Sequence, residues 1–125
     1  MKGQMPDEKF KKAIVALDHA LKFLKEAGKD PFYFSGISKS FEVCLEYAWK
    51  YLKTQLDQEG LEAYSPREII KVAGRAGFID NVEKWLDFLE NRNLAVHDYL
   101  GLSEKQYLTS IQAFLREAKK LLKKY

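Results

Sequence analysis

Phe41, Leu45, Ala48, Leu52 and Leu56 recur at intervals of three and four residues. That period returns to one side of a helix and gives an alternating strand no consistent face. The same rhythm runs through the rest of the chain. Phe10, Ile14, Leu17, Leu21 and Leu24 step by four, three, four and three. Val82, Trp85, Leu86 and Leu89 form a third stripe. Tyr107, Leu108, Ile111, Phe114, Leu115, Ala118, Leu121 and Leu122 form a fourth, broader one. No stretch shows the two-residue alternation of a half-buried strand. The expected fold is all-α, an antiparallel helical bundle of about five helices with a four-helix up-and-down core. At 125 residues it is expected to be one domain over 1–125.

Local signals mark where the helices begin and end. The first is expected from about Pro6 to Ala27, with Gly28 as its stop. Lys29-Asp30-Pro31-Phe32-Tyr33-Phe34-Ser35-Gly36 reads as a turn-rich connector, its three aromatics tucked under the bundle. The second helix is expected from about Ser38 to Glu59, ended by Gly60. Ser65-Pro66-Arg67-Glu68 carries a capping-box pattern with Pro at the first helical position, opening a short helix that Gly77 stops. Asp80-Asn81-Val82-Glu83 and Ser103-Glu104-Lys105-Gln106 repeat the capping logic for the last two helices. Lys119, Lys120, Lys123 and Lys124 suit the negative end of the last helix dipole and read as a solvated terminus.

Composition narrows the function classes. Hydrophobic residues make up 46% and charged residues 31%, an ordinary soluble balance. The formal net charge of +3 is a weak pointer to an anionic partner. No run of about 18 apolar residues offers a membrane span, and Met1 to Asp7 lacks the apolar core of a secretory signal, so a cytoplasmic location is expected. Cys44 is the only cysteine, so no internal disulfide can form, and its apolar setting suits packing better than nucleophilic chemistry. Glu42 and Glu46 share a helix face, but no His or Asp joins them at ligand spacing, and Lys50 stands ready to pair with Glu46. No metal site and no cofactor are expected. His19 falls about 140° from Ile14 around the first helix and belongs to the surface.

One stretch concentrates chemistry. Arg92-Asn93-Leu94-Ala95-Val96-His97-Asp98-Tyr99 places a fixed cation, a carboxamide, an imidazole, a carboxylate and a phenol within eight residues. Such groups suit phosphoryl transfer without a metal. An imidazole moves a proton near neutral pH, and a guanidinium grips a phosphate and its developing charge. In RNA the ribose 2′-hydroxyl is an internal nucleophile, so these groups would suffice to cut the chain and leave a 2′,3′-cyclic phosphate. Asn93 would orient the ring or the phosphate, and Tyr99 would donate to the phosphate. On a continuous helix Arg92 and His97 lie about 140° apart, while Arg92 and Tyr99 lie about 20° apart. Arg92 and His97 converge only if the helix loosens near Val96 or a second subunit supplies one of them. A purely structural reading pairs Arg92 with Glu90 or Asp98, uses His97 as a helix cap and packs Tyr99 at the surface.

Arg92, His97 and Tyr99 match the R-x-x-x-x-H-x-Y pattern of HEPN domains, and Asn93 fits the usual R-N start. Phe41-Glu42, Leu45-Glu46 and Trp49-Lys50 resemble a helix signature of the nucleotidyltransferase substrate-binding branch of that superfamily. Ser65-Pro66-Arg67-Glu68, Gly77-Phe78-Ile79 and Trp85 resemble the same branch at similar relative positions. The resemblance implies a dimerising bundle whose R-N-x-x-x-H segments meet at a cleft between subunits, and a small nucleotidyltransferase as cognate partner. It further implies a metal-independent endoribonuclease toxin acting on RNA, tRNA or mRNA, with Arg92 and His97 catalytic. The partner would silence it by transferring AMP to Tyr99. The alternative reading that the resemblance carries is a non-catalytic substrate-binding or regulatory subunit, which binds a substrate and presents it to the nucleotidyltransferase. Leu100-Gly101 follows Tyr99 where relatives often carry acidic residues.

Overall fold

A computed structural model describes the backbone of residues 5–97 and 104–124 and the side chains of residues 7–92 and 104–123. The chain forms α1 (Met5–Ala20), a 3-10 turn (Leu21–Phe23), α2 (Leu24–Ala27), α3 (Pro31–Gln58), α4 (Pro66–Arg75), α5 (Val82–His97) and α6 (Glu104–Lys124). No strand occurs among the described residues.

Four helices close a ring: α1 packs on α3, α3 on α5, α5 on α6, and α6 back on α1. Their directions alternate. Phe10 of α1 meets Tyr51, whereas Phe23 beyond it meets Tyr33, so α1 and α3 run in opposite senses. Lys84 pairs with Glu117, and Asn91, seven residues on, bonds to Ser110, seven residues back. This is the expected up-and-down core, with α4 laid against α3 and α5.

The apolar stripes fill the centre of the ring. Phe41, Leu45, Ala48, Leu52 and Leu56 are all essentially inaccessible, as are Phe10, Leu17, Trp85, Ile111, Phe114 and Ala118. Leu21, Leu24, Val82 and Leu86 only flank this core. Phe88, which the periodicity left out of its stripe, is buried among the rings of Trp85 and Phe114.

Two expected boundaries are corrected. The first helix does not continue unbroken to Ala27. It tightens into a 3-10 turn at Leu21–Phe23, where Phe23 stacks on Tyr33 at 5.6 Å between ring centroids. The stretch from Lys29 to Gly36 is not a connector throughout, because α3 begins at Pro31. Asp30 caps it by accepting a hydrogen bond from the Phe32 amide at 3.0 Å, and Pro31 occupies the first helical position. Phe34 and Ile37 then extend the buried stripe of Phe41 backward by two turns. Of the three aromatics expected beneath the bundle, Phe34 is buried and Phe32 is 76% exposed.

The other caps lie where the sequence places them. Ser65 accepts from the Glu68 amide at 3.1 Å, and Glu68 accepts from the Tyr64 amide at 2.8 Å, one residue earlier than a standard capping box. Asn81 accepts from the Lys84 amide at the start of α5. Gly60 and Gly77 end α3 and α4 with φ of 74° and 86°. In each case the residue after the glycine donates to the carbonyl five residues back, Leu61 to Leu56 and Phe78 to Ala73. The left-handed glycine thus satisfies the last carbonyls of its helix. The Ser103 cap lies outside the described residues.

Gly74 sets how closely α4 approaches the start of α5, because a Cβ added there would overlap the Val82 side chain. Gly74→Ala gains helix propensity, worth about 1 kcal/mol, but overpacks this contact, which costs about 1–3 kcal/mol. The variant is expected to unfold at lower urea concentration than the native chain. A raised midpoint would show that α4 sits further from α5.

Candidate functional site

Arg92 is the one expected site residue whose side chain falls in the described set, and its surroundings come from three helices. It sits one turn beyond Phe88 on α5, and its Nη2 donates to Glu42 Oε2 of α3 at 3.1 Å. Glu42 is also approached by Lys39 Nζ at 3.2 Å through its other oxygen. The Arg92 Nε is buried without a hydrogen-bond partner. The guanidinium is therefore fixed at one corner and has donors left over. Among the described residues its partner is Glu42 and not the sequence neighbour Glu90, while Asp98 lies outside them. Glu42 lies 50 residues away in the chain and reaches Arg92 only because α3 and α5 pack together.

Arg92 opens onto a cleft of about 350 Å³ between α3, α4 and α5. Leu45, Trp49 and Glu46 line it from α3, Pro66 and Arg67 from α4, and Leu89 and Glu90 from α5. Lys50 holds Glu46 at 3.2 Å and lies 5.9 Å from the centre of the Trp49 ring. Arg67 is exposed and makes no ion pair among the described residues. Residues scattered from position 45 to position 92 thus share one concavity. The residue types carried no signal of this. Their membership of the family-like segments was the only hint in the sequence.

The helix bearing Asn93 and His97 is continuous. α5 runs to His97 without interruption, so the backbone does not loosen at Val96. Asn93 lies within it, and His97 is its last residue. Five residues apart on a continuous helix, Arg92 and His97 occupy positions about 140° apart around the axis. Asp98 and Tyr99 lie outside the described residues.

Glu42 and Glu46 are each engaged by cations, Arg92 with Lys39 for the first and Lys50 for the second. Among the described residues no three His, Cys, Asp or Glu side chains gather as metal ligands. No described helix is long and apolar enough to cross a membrane. His19 is exposed, edge-on to Phe23 at 5.4 Å. Lys119 pairs with Asp18, and Lys120 with Glu117 and Asp80.

Residues 8–125 match the family model described as nucleotidyltransferase substrate binding protein like. Among curated proteins, the chain is similar to the probable ribonuclease HepT of Haemophilus influenzae, with 30% identity over 93 residues. The match takes in 70% of this chain and 64% of that protein's length. In fold it is similar to the tri-AMPylated HEPN toxin of Shewanella oneidensis, solved in complex with MNT antitoxin. The TM-score is 0.80 at 16% identity, over 94% of this chain and 91% of that one.

Cys44 stands apart from this site. It is fully buried in the core, and burial pushes its thiol from the ordinary 9.0 up to about 12. Below pH 9 the thiol is protonated in both states and the shift costs nothing, whereas from pH 9 toward 12 only the unfolded chain ionises it readily and native stability falls. Native protein at pH 8 is expected to resist a thiol-reactive disulfide reagent and to react with one equivalent once unfolded in urea. Rapid reaction of the native protein would contradict this burial.

Proposed function

The chain belongs to the nucleotidyltransferase substrate-binding-protein-like family, a branch of the HEPN superfamily, and from that membership we propose that it is the toxin of a nucleotidyltransferase toxin–antitoxin pair. It acts as a metal-independent endoribonuclease in the cytoplasm. The observation that carries the reading is Arg92, a guanidinium pinned by Glu42 at the mouth of a cleft, with unused donors and His97 one and a half turns further along the same helix. The ribonuclease name of the Haemophilus influenzae relative and the antitoxin-bound state of the Shewanella oneidensis toxin support it.

In this reading His97 takes the proton from a ribose 2′-hydroxyl. The 2′-oxygen attacks the adjacent phosphorus, the bond from phosphorus to the 5′-oxygen breaks, and that oxygen takes up a proton. The products are a 2′,3′-cyclic phosphate and a 5′-hydroxyl. Arg92 grips the phosphate and stabilises the charge that builds on it. Asn93 and Tyr99 orient the phosphate or the imidazole. The 140° between Arg92 and His97 favours a homodimer in which one copy supplies the cation and the other the imidazole. A cognate small nucleotidyltransferase silences the toxin by placing AMP on Tyr99.

A second reading makes the chain a non-catalytic substrate-binding subunit of that nucleotidyltransferase. The substrate-binding description of the family model that the chain matches supports this reading.

Purified protein is expected to cleave total RNA or tRNA in the presence of EDTA, and His97→Ala to lose that activity while keeping its helical circular dichroism. Full activity in the variant would remove His97 from the mechanism. Absence of cleavage by a native sample whose Tyr99 is unmodified would favour the non-catalytic subunit. Separately, co-expression with the cognate nucleotidyltransferase is expected to add whole AMP units to the intact mass, all on Tyr99. An unchanged mass in the presence of active partner and ATP would defeat the silencing step.

A further inference from the structure

The cleft between α3, α4 and α5 has a composition that a catalytic cation alone does not explain. We infer that it is a subsite for one nucleotide of a single-stranded RNA, its base held against Trp49 and its phosphate by Arg67, next to the phosphate gripped by Arg92. The inference rests on the ribonuclease reading for the identity of the chain being bound.

The chemistry of the walls selects the ligand. Leu45, Leu89, Pro66 and the half-buried Trp49 offer apolar and aromatic surface. Arg67 and Arg92 bring two fixed cations, and Glu46 and Glu90 two carboxylates. A bare inorganic anion would gain nothing from the apolar walls and would be repelled by Glu90, since Lys50 already pairs Glu46. A purely apolar ligand would have to desolvate four charged groups. A nucleotide satisfies all three kinds of wall. Its base has a flat face for the aromatic ring, its N–H groups are donors for the carboxylates, and its phosphate pairs with a guanidinium.

Size and unused bonding capacity agree with this. Small-molecule sites span roughly 300–1,000 Å³, so a cleft of about 350 Å³ takes a single nucleotide and not a duplex groove. Arg67 lies in the first turn of α4 without an ion pair among the described residues, and the positive end of that ten-residue helix adds to its attraction for a phosphate. Glu90 likewise has no ion pair among the described residues and can act as an acceptor for a base. Arg92 contributes to the same cleft, so a nucleotide seated there lies beside the phosphate at the catalytic position.

The test uses the full chain and a fluorescein-labelled 2′-O-methyl oligoribonucleotide of mixed sequence, followed by anisotropy and by tryptophan emission. The 2′-O-methyl group removes the nucleophile, so the result does not depend on whether the protein cleaves RNA. Arg67→Gln is expected to weaken binding roughly tenfold and to reduce the slope of log affinity against log salt by about 0.7, the value of one lost phosphate contact on a single strand. Its thermal melting should be little changed, because Arg67 is exposed and makes no ion pair among the described residues. Binding should quench tryptophan emission, and Trp49→Phe should abolish most of the quench, leaving only the buried Trp85. Native binding that is insensitive to Arg67→Gln in both affinity and salt slope would overturn the subsite and leave the nuclease reading standing. So would a folded native protein that binds no oligonucleotide. Sensitivity to Arg67→Gln together with the Trp49 quench, in a protein that cuts no RNA, would keep the subsite and remove the nuclease.

Discussion

A chain of aromatic contacts holds the functional end of α5 in place. Trp85 and Phe88 of α5 both meet the Phe114 ring of α6, at 5.8 and 5.3 Å between centroids. Phe114 meets Phe41 of α3 at 5.3 Å, and Phe41 meets Tyr107 at 5.9 Å. Most of these pairs are edge-to-face, the arrangement that the ring quadrupoles favour, worth about 0.5–1.5 kcal/mol each beyond the area they bury. The cluster joins three helices through residues that have few alternative rotamers in a close-packed core. Glu42 follows Phe41 directly, and Arg92 follows Phe88 by one helical turn. Fixing Phe41 against Phe88 through Phe114 therefore brings a carboxylate and a guanidinium from opposite halves of the chain into contact. The site geometry is a consequence of core packing and needs no dedicated scaffold.

What could be read in the sequence follows from the range over which each signal acts. Helical period and capping are local, so the stripe from Phe41 to Leu56 and the caps at Ser65 and Asn81 were legible without a structure. The start of α3 was misread for a physical reason. Asp-Pro followed by aromatics, Ser and Gly satisfies both a turn pattern and an N-cap pattern, and only the continued burial of Phe34 and Ile37 favours the helix. Phe88 was missed because a narrow stripe was assumed for α5, whereas packing against both α3 and α6 widens its buried face. The stretch from Arg92 to Tyr99 stood out by residue type and by its match to a family pattern. The partner of Arg92 did not, because a contact across 50 residues leaves no trace in local spacing. Arg67 and Trp49 were visible as parts of family-like segments, but nothing in their spacing placed them in one cleft with Arg92.

The strength of the Arg92–Glu42 pair bears on what Arg92 can do. The arginine side chain is 38% exposed and the carboxylate 26%, and the single bond is made by one Nη. An ion pair this open to water contributes about 0–1 kcal/mol to folding, so it is a poor explanation of stability. Its effect is on orientation. A long arginine side chain free in solution loses up to about 2 kcal/mol of rotamer entropy when it is ordered around a ligand. Glu42 takes part of that loss in advance, during folding. Because Lys39 shares Glu42, the carboxylate does not rely on Arg92 alone and holds it less tightly. A phosphate arriving at the cleft finds a guanidinium already ordered by one carboxylate. Burying a donor without an acceptor carries a desolvation cost. The pairing with Glu42 is thus compatible with phosphate binding and prepares for it, because it orders the cation while using only part of its hydrogen-bonding capacity.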